Sequence, residues 1–253
     1  MSPETSFDIE LDAGVDPGQT LLVGLAAPGM GALTAVDHLV RHQESEQIGH
    51  ISPAELPTVT PFEDGVPRHH TRLYDLTDSE FIVLVSELFL PAWATRSFAD
   101  HLTAWIEAVD IEEVAMFHSV PYPHGPEEHD VFYVATGTYR ETRLQDTEIP
   151  TLRGGFLDGL PAELVSRGLD GDGTPTGVFV TPAHPPGPDV DGALLFLDSI
   201  EEAYGLSVDR QPLEELSENI KQHYETLAER MQTVTESEDA RADREFYADR
   251  MYM

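Results

Sequence analysis

The chain has 253 residues, with 47 acidic against 14 basic side chains and a formal net charge of −33. That length allows one large domain or two small ones, and 40% apolar residues suffice for a core, so disorder of the whole chain is excluded. Acidity scattered from Glu4 to Asp249 argues against nucleic acid, which requires a basic footprint, and the absence of cysteine removes disulfides and thiolate chemistry.

The residues from Met1 to Asp16 lack a basic-then-apolar signal pattern, and no apolar run reaches the ~18 residues that span a bilayer. A soluble cytoplasmic protein is expected. The first clear unit is Leu21-Leu22-Val23-Gly24-Leu25-Ala26, a short apolar run that reads as a buried strand. It ends in the turn Ala27-Pro28-Gly29-Met30-Gly31, where Pro28 lacks a backbone donor and the glycines permit unusual dihedrals. Leu33, Val36, Leu39 and Val40 then share one helical face between Ala32 and His42. Strands are expected at Ile48–Ile51, Thr71–Leu76 and Phe81–Val85, the last rich in β-branched residues. Phe98, Leu102, Trp105, Ile106 and Val109 recur at helical spacing. Val114–Phe117 and Val131–Val134 read as strands on either side of a loop rich in Pro, Gly and His. Gly154-Gly155-Phe156-Leu157-Asp158-Gly159-Leu160-Pro161 is a glycine-rich junction running into a short helix over Ala162–Arg167, with Pro161 suited to a first turn. A late strand, Gly177–Val180, and a helix from Val190 to Ala203 complete the alternation. Strands alternating with helices imply a mainly parallel sheet covered on both faces, over residues 1–208.

From Leu213 the period changes. Leu213, Leu216, Ile220, Tyr224, Leu227, Met231 and Val234 follow at steps of three or four, close to a coiled-coil seam. A helix over residues 209–234 is expected, packed on its own domain or between subunits. Residues 235–253 form an acidic leash that ends in Met251-Tyr252-Met253. An apolar residue, a phenol and a terminal carboxylate on a solvated leash suit another protein's pocket.

Few residues are marked for chemistry. Pro28, Gly29, Met30 and Gly31 form a candidate pocket, since amides at a helix N-terminus attract anions, yet the turn matches neither the dinucleotide pattern nor the P-loop. His69-His70 and the set His118, His124 and His129 border loops without zinc-finger or HExxH spacing, so solvated loop histidines are expected rather than a metal site. Ser86-Glu87 ends a strand with no base marked beside it, and no Gly-x-Ser-x-Gly elbow occurs. No catalytic residue, metal or cofactor is expected.

Taken in order, three motifs resemble the archaeal proteasome assembly chaperone family of the chaperone-2 type. They are Leu22 through Gly31, Ser86-Glu87 after an apolar strand, and Gly154-Gly155 through Leu160. Gly177–Val180 with Asp189 to Leu206 is similar to the family's final strand and helix, so the resemblance covers about Leu21 to Val208 and the following helix. It implies a three-layer α/β/α sandwich akin to the nucleoside phosphorylase and hydrolase-like fold. It also implies homo-oligomers that bind the alpha ring of the proteasome core particle without ATP. Met251, Tyr252 and Met253 occupy the place of the family's docking tail, and the stripe of Leu213, Leu216, Ile220, Leu227 and Met231 is the expected oligomer helix. Abundant Asp and Glu beside a single lysine, Lys221, resembles the proteins of salt-accumulating archaea. Two other readings stand beside this one: a phosphorylase- or hydrolase-like enzyme using the turn at Pro28–Gly31, and a scaffold unrelated to proteasomes.

Overall fold

The structure is a computed structural model that describes residues 5–15, 17–56, 59–122, 125, 129–171, 173–183 and 188–218. In chain order its elements are β1 (Phe7–Leu11), β2 (Thr20–Leu25), α1 (Gly31–His42), β3 (Ser45–Pro53), β4 (Phe62–Glu63), β5 (Val66–Pro67), β6 (Thr71–Leu76) and β7 (Phe81–Ser86). There follow α2 (Ala92–Ala108), β8 (Glu113–Val120), β9 (Phe132–Ala135), α3 (Gly137–Arg143), α4 (Gly159–Arg167), β10 (Thr176–Pro182) and α5 (Val190–Tyr204). Two compact units divide the chain, Met1–Asp209 and Arg210–Met253. Of the second, residues 211–218 are helical and carry Leu213 and Leu216; Ile220, Leu227 and Met231 lie outside the described residues.

The first unit is built on one eight-stranded sheet of order β1-β3-β6-β7-β2-β8-β10-β9. Its four central strands, β7, β2, β8 and β10, are parallel. Both margins are antiparallel, through β1–β3, β3–β6 and β6–β7 on one side and β10–β9 on the other. The parallel arrangement expected from strand–helix alternation therefore holds at the centre. At β6–β7 the connection is too short for a crossover: β6 turns straight into β7 through Thr77–Glu80, with Asp78 at φ 59°, and so tight a turn can join only antiparallel strands.

Alternate residues of the central strands feed two cores. Leu21, Val23, Ile82, Leu84, Val114, Met116, Val178 and Val180 face α2 and α4, joined by Phe7 of β1, whose ring meets Phe98 edge-on at 4.9 Å. On the other face Phe117 stacks on Phe179 at 5.4 Å and meets Phe196 of α5 at 5.5 Å, and α1 packs beside α5. Central strands that are apolar on both faces are what a sheet with helices on each side requires. Gly24 of β2 lets α1 approach: a Cβ there would lie 2.2 Å from Val36 Cγ2 and 2.7 Å from the Ala32 carbonyl oxygen. The result is the expected three-layer α/β/α sandwich.

Candidate functional site

The C-terminal ends of the parallel strands carry the loops on which open α/β sheets assemble sites. After β2 the chain turns through Pro28 and Gly29, with the Met30 amide donating to the Ala27 carbonyl at 2.9 Å. Gly29 has φ 76° and Met30 has φ 53°, a left-handed geometry that a side chain as long as methionine adopts only when its surroundings hold it there. The holding contact comes from the loop before α5, where the Asp189 amide donates to the Gly29 carbonyl at 2.7 Å. Asp189 in turn caps α5, accepting from the Gly192 amide at 2.9 Å. A Cβ on Gly31 would sit 3.1 Å from Ser119 Oγ and 3.4 Å from the Asp189 carbonyl oxygen. The first turns of α1 and α5 therefore lie against each other, and among the described residues the candidate pocket at Pro28, Gly29, Met30 and Gly31 is a packed junction of two helix starts.

A second cluster stands at the ends of β6 and β7. Ser86 Oγ is buried, 2.6 Å from Thr71 Oγ1, and accepts from the Leu88 amide at 3.2 Å. Thr71 Oγ1 lies 2.8 Å from His70 Nδ1, and burial lowers the pKa of His70. A basic group is thus linked to Ser86, a relation invisible in sequence because the antiparallel pairing of Thr71 with Ser86 creates it. The serine hydroxyl is buried and already hydrogen-bonded. Its neighbour Glu87 is also engaged: it receives Arg72 in a two-pronged pair, Nη1 to Oε2 at 2.9 Å and Nη2 to Oε1 at 2.8 Å. Arg72 is fully buried and also donates to Tyr74 Oη at 2.8 Å.

The ion pair continues outward. Arg68 reaches Glu87 at 3.3 Å and Glu63 at 2.5 Å, and Arg41 of α1 reaches Glu63 at 2.5 Å and Asp37 at 2.6 Å. Bonding to Arg41, with the nearby Arg68 charge, holds the Glu63 carboxyl below the usual range. This chain of charges clasps the small β4–β5 hairpin to the body of the sheet. Beside it a hollow of about 410 Å³ is lined by Ser52, Leu56, Val59, Arg68, His69 and His70.

The loop histidines are less solvated than expected. His69 stacks on His50 with ring centroids 3.6 Å apart, and burial lowers its pKa. His118 belongs to β8 and is partly buried, which lowers its pKa against the opposing pull of Asp158. Strand β8 runs three residues past the apolar run Val114–Phe117 and carries His118 with it. No group of three or more metal-ligating side chains occurs among the described residues. His124 and the tail residues Met251, Tyr252 and Met253 lie outside them.

The sequence profile of the PAC2 family matches residues 21–228. The chain belongs to the PAC2 family. The match begins on β2 and contains every motif that carried the resemblance, from Leu22–Gly31 to Gly177–Val180. No curated protein matches the sequence. Solved structures add the fold. PbaA of Pyrococcus furiosus, an archaeal homologue of proteasome-assembly chaperone, superposes with a TM-score of 0.78 at 18% identity, covering 98% of this chain and 100% of PbaA. PbaB of the same organism, an archaeal proteasome activator, gives 0.72 at 15% identity over 88% of this chain and 98% of its own. A protein of unknown function from Thermoplasma acidophilum gives 0.70 at 22% identity, covering 88% of this chain and 90% of that one. At these identities the likeness establishes a shared fold. Among the described residues no helix is long and apolar enough to cross a membrane.

Proposed function

We propose that this PAC2 protein is an ATP-independent proteasome assembly chaperone or activator, cytoplasmic and adapted to high salt. In this reading it acts as a homo-oligomer and inserts Met251, Tyr252 and Met253 into pockets of the proteasome alpha ring. The observation that carries the reading is the PAC2 match over residues 21–228, joined to the fold shared along nearly the whole length of PbaA, a chaperone homologue, and PbaB, an activator. The reading assigns no catalysis. It is supported there by the engagement of Ser86 and Glu87 in buried hydrogen bonds and an ion pair. Tyr252 would contribute a rigid ring with a polar tip, and several tails on one oligomer would raise avidity through effective concentration.

Affinity capture from extract of a salt-accumulating archaeon in molar KCl tests the proposal. The intact protein should retain alpha subunits, while Tyr252→Ala and a deletion of Met251 to Met253 should lose them without any change in circular dichroism. Equal retention by the intact and deleted proteins would sink the tail. Capture of other proteins with no alpha subunit would favour an unrelated scaffold.

A further inference from the structure

We propose that the junction of α1 and α5 binds a small inorganic anion, held by the first amides of α1 and the hydroxyl of Ser119. The start of α1 is rich in donors that nothing accepts. Met30, the residue before the helix, supplies no side-chain cap, and the first turn, Gly31-Ala32-Leu33-Thr34, holds no acidic residue. The Thr34 amide donates to the Met30 carbonyl at 2.9 Å, whereas the amides of Gly31, Ala32 and Leu33 have no partner among the described residues. Gly31 and Ala32 are buried, so bulk water does not answer for them. A buried donor without an acceptor is costly, and a native fold keeps one chiefly where something else binds it. Oriented amides at a helix start attract anions.

Ser119 points to the same place independently. It lies near the end of β8, is only 1% exposed, and its hydroxyl oxygen has no hydrogen-bond partner. That oxygen is 3.1 Å from the position a Cβ on Gly31 would take, so the hydroxyl faces the first residue of α1. Topology puts the two together. β2, which feeds α1, and β8, which carries Ser119, are parallel neighbours. From β2 the chain passes through α1 to β3 on one side of the sheet, and from β8 it passes to β9 and β10 on the other. Where connections part in this way, an open α/β sheet has its crevice outside the carboxyl ends of the strands. The net charge of −33 does not forbid an anion there. Asp189, which packs on Gly29, turns its carboxylate to α5 and accepts from the Gly192 amide at 2.9 Å. In molar salt the Debye length is ~3 Å, so distant carboxylates are screened while direct donors still act. Three amides and a hydroxyl suit a halide or a phosphate. The proposal does not depend on proteasome docking.

Backbone amide resonances of the full chain in molar KCl test it, with two arms. In one, phosphate is titrated at constant ionic strength; in the other, KBr replaces KCl. The amides of Gly31, Ala32 and Leu33 should shift in at least one arm. A saturable response to phosphate identifies an oxyanion, and a response to bromide alone identifies a halide. Ser119→Ala, folded by circular dichroism, should lower the affinity about tenfold, the loss expected when a charged group forfeits one hydrogen bond. The wild-type titrations stand by themselves should that variant not fold. Three amides that move in neither arm, or shifts spread evenly over exposed amides as an adventitious ion only would give, would overturn the proposal. So would a folded Ser119→Ala that responds as the wild type does.

Discussion

Glu87 was the residue most easily taken for chemistry, and its surroundings give it another task. Its carboxylate faces a guanidinium with no access to water, so removing it leaves a buried charge uncompensated. Glu87→Ala should therefore cost about 3–5 kcal/mol of stability, read as a lower denaturant midpoint in molar KCl. Replacing both partners, Arg72→Met with Glu87→Leu, should recover most of that loss; a single variant as stable as the wild type would show that the pair is not a support. None of this was legible in the sequence. Arg72 lies on β6 and Glu87 just past the end of β7, and only the register pairing Thr71 with Ser86 brings them together. The left-handed Met30 was equally hidden, since glycine on either side suggested that glycine alone would take the unusual dihedrals.

Elements were legible in proportion to their apolar content. The buried central strands and α1, α2 and α5 stand out as runs or helical stripes, because both faces of this sheet and one face of each helix are covered. Short exposed elements were not: β4 and β5 are two exposed residues each, and α3 buries only Tyr139. Strand β1 carries a weaker signal, the alternation Phe7-Asp8-Ile9-Glu10-Leu11, ahead of the longer apolar run at Leu21. The contact of α1 with β2 offers a test at this scale. Gly24→Ala would drive a methyl into Val36 and the backbone of Ala32, and overpacking of this kind costs about 1–3 kcal/mol. Chemical denaturation should show a loss in that range, with Val36→Ala in the same chain restoring part of it; a fully stable Gly24→Ala would mean that α1 can move off β2 at no cost.

For the whole molecule, a net charge of −33 makes stability a function of ionic strength. The Debye length falls from ~10 Å at 0.1 M to ~3 Å at 1 M, which removes repulsion between all but touching carboxylates. Melting temperature should climb steadily along a KCl series from 0.05 M to above 1 M, in the manner of a screened polyanion. A melting temperature indifferent to KCl would remove the salt-adapted reading. The sheet order carries a further consequence, for how the chain is made. β2 emerges from the ribosome early, yet its two neighbours are β7 and β8, and Thr20 pairs with Phe81 and Glu113. At ~5–20 residues per second, synthesis needs on the order of 5–20 s to deliver Glu113 after Thr20. Until Phe81–Ser86 emerges Leu21-Leu22-Val23 has no strand to pair with, and its other edge stays open until β8 follows, so the nascent protein passes through a stage at which its central strand must be sheltered, by α1 or by cellular helpers, before the sheet can close around it.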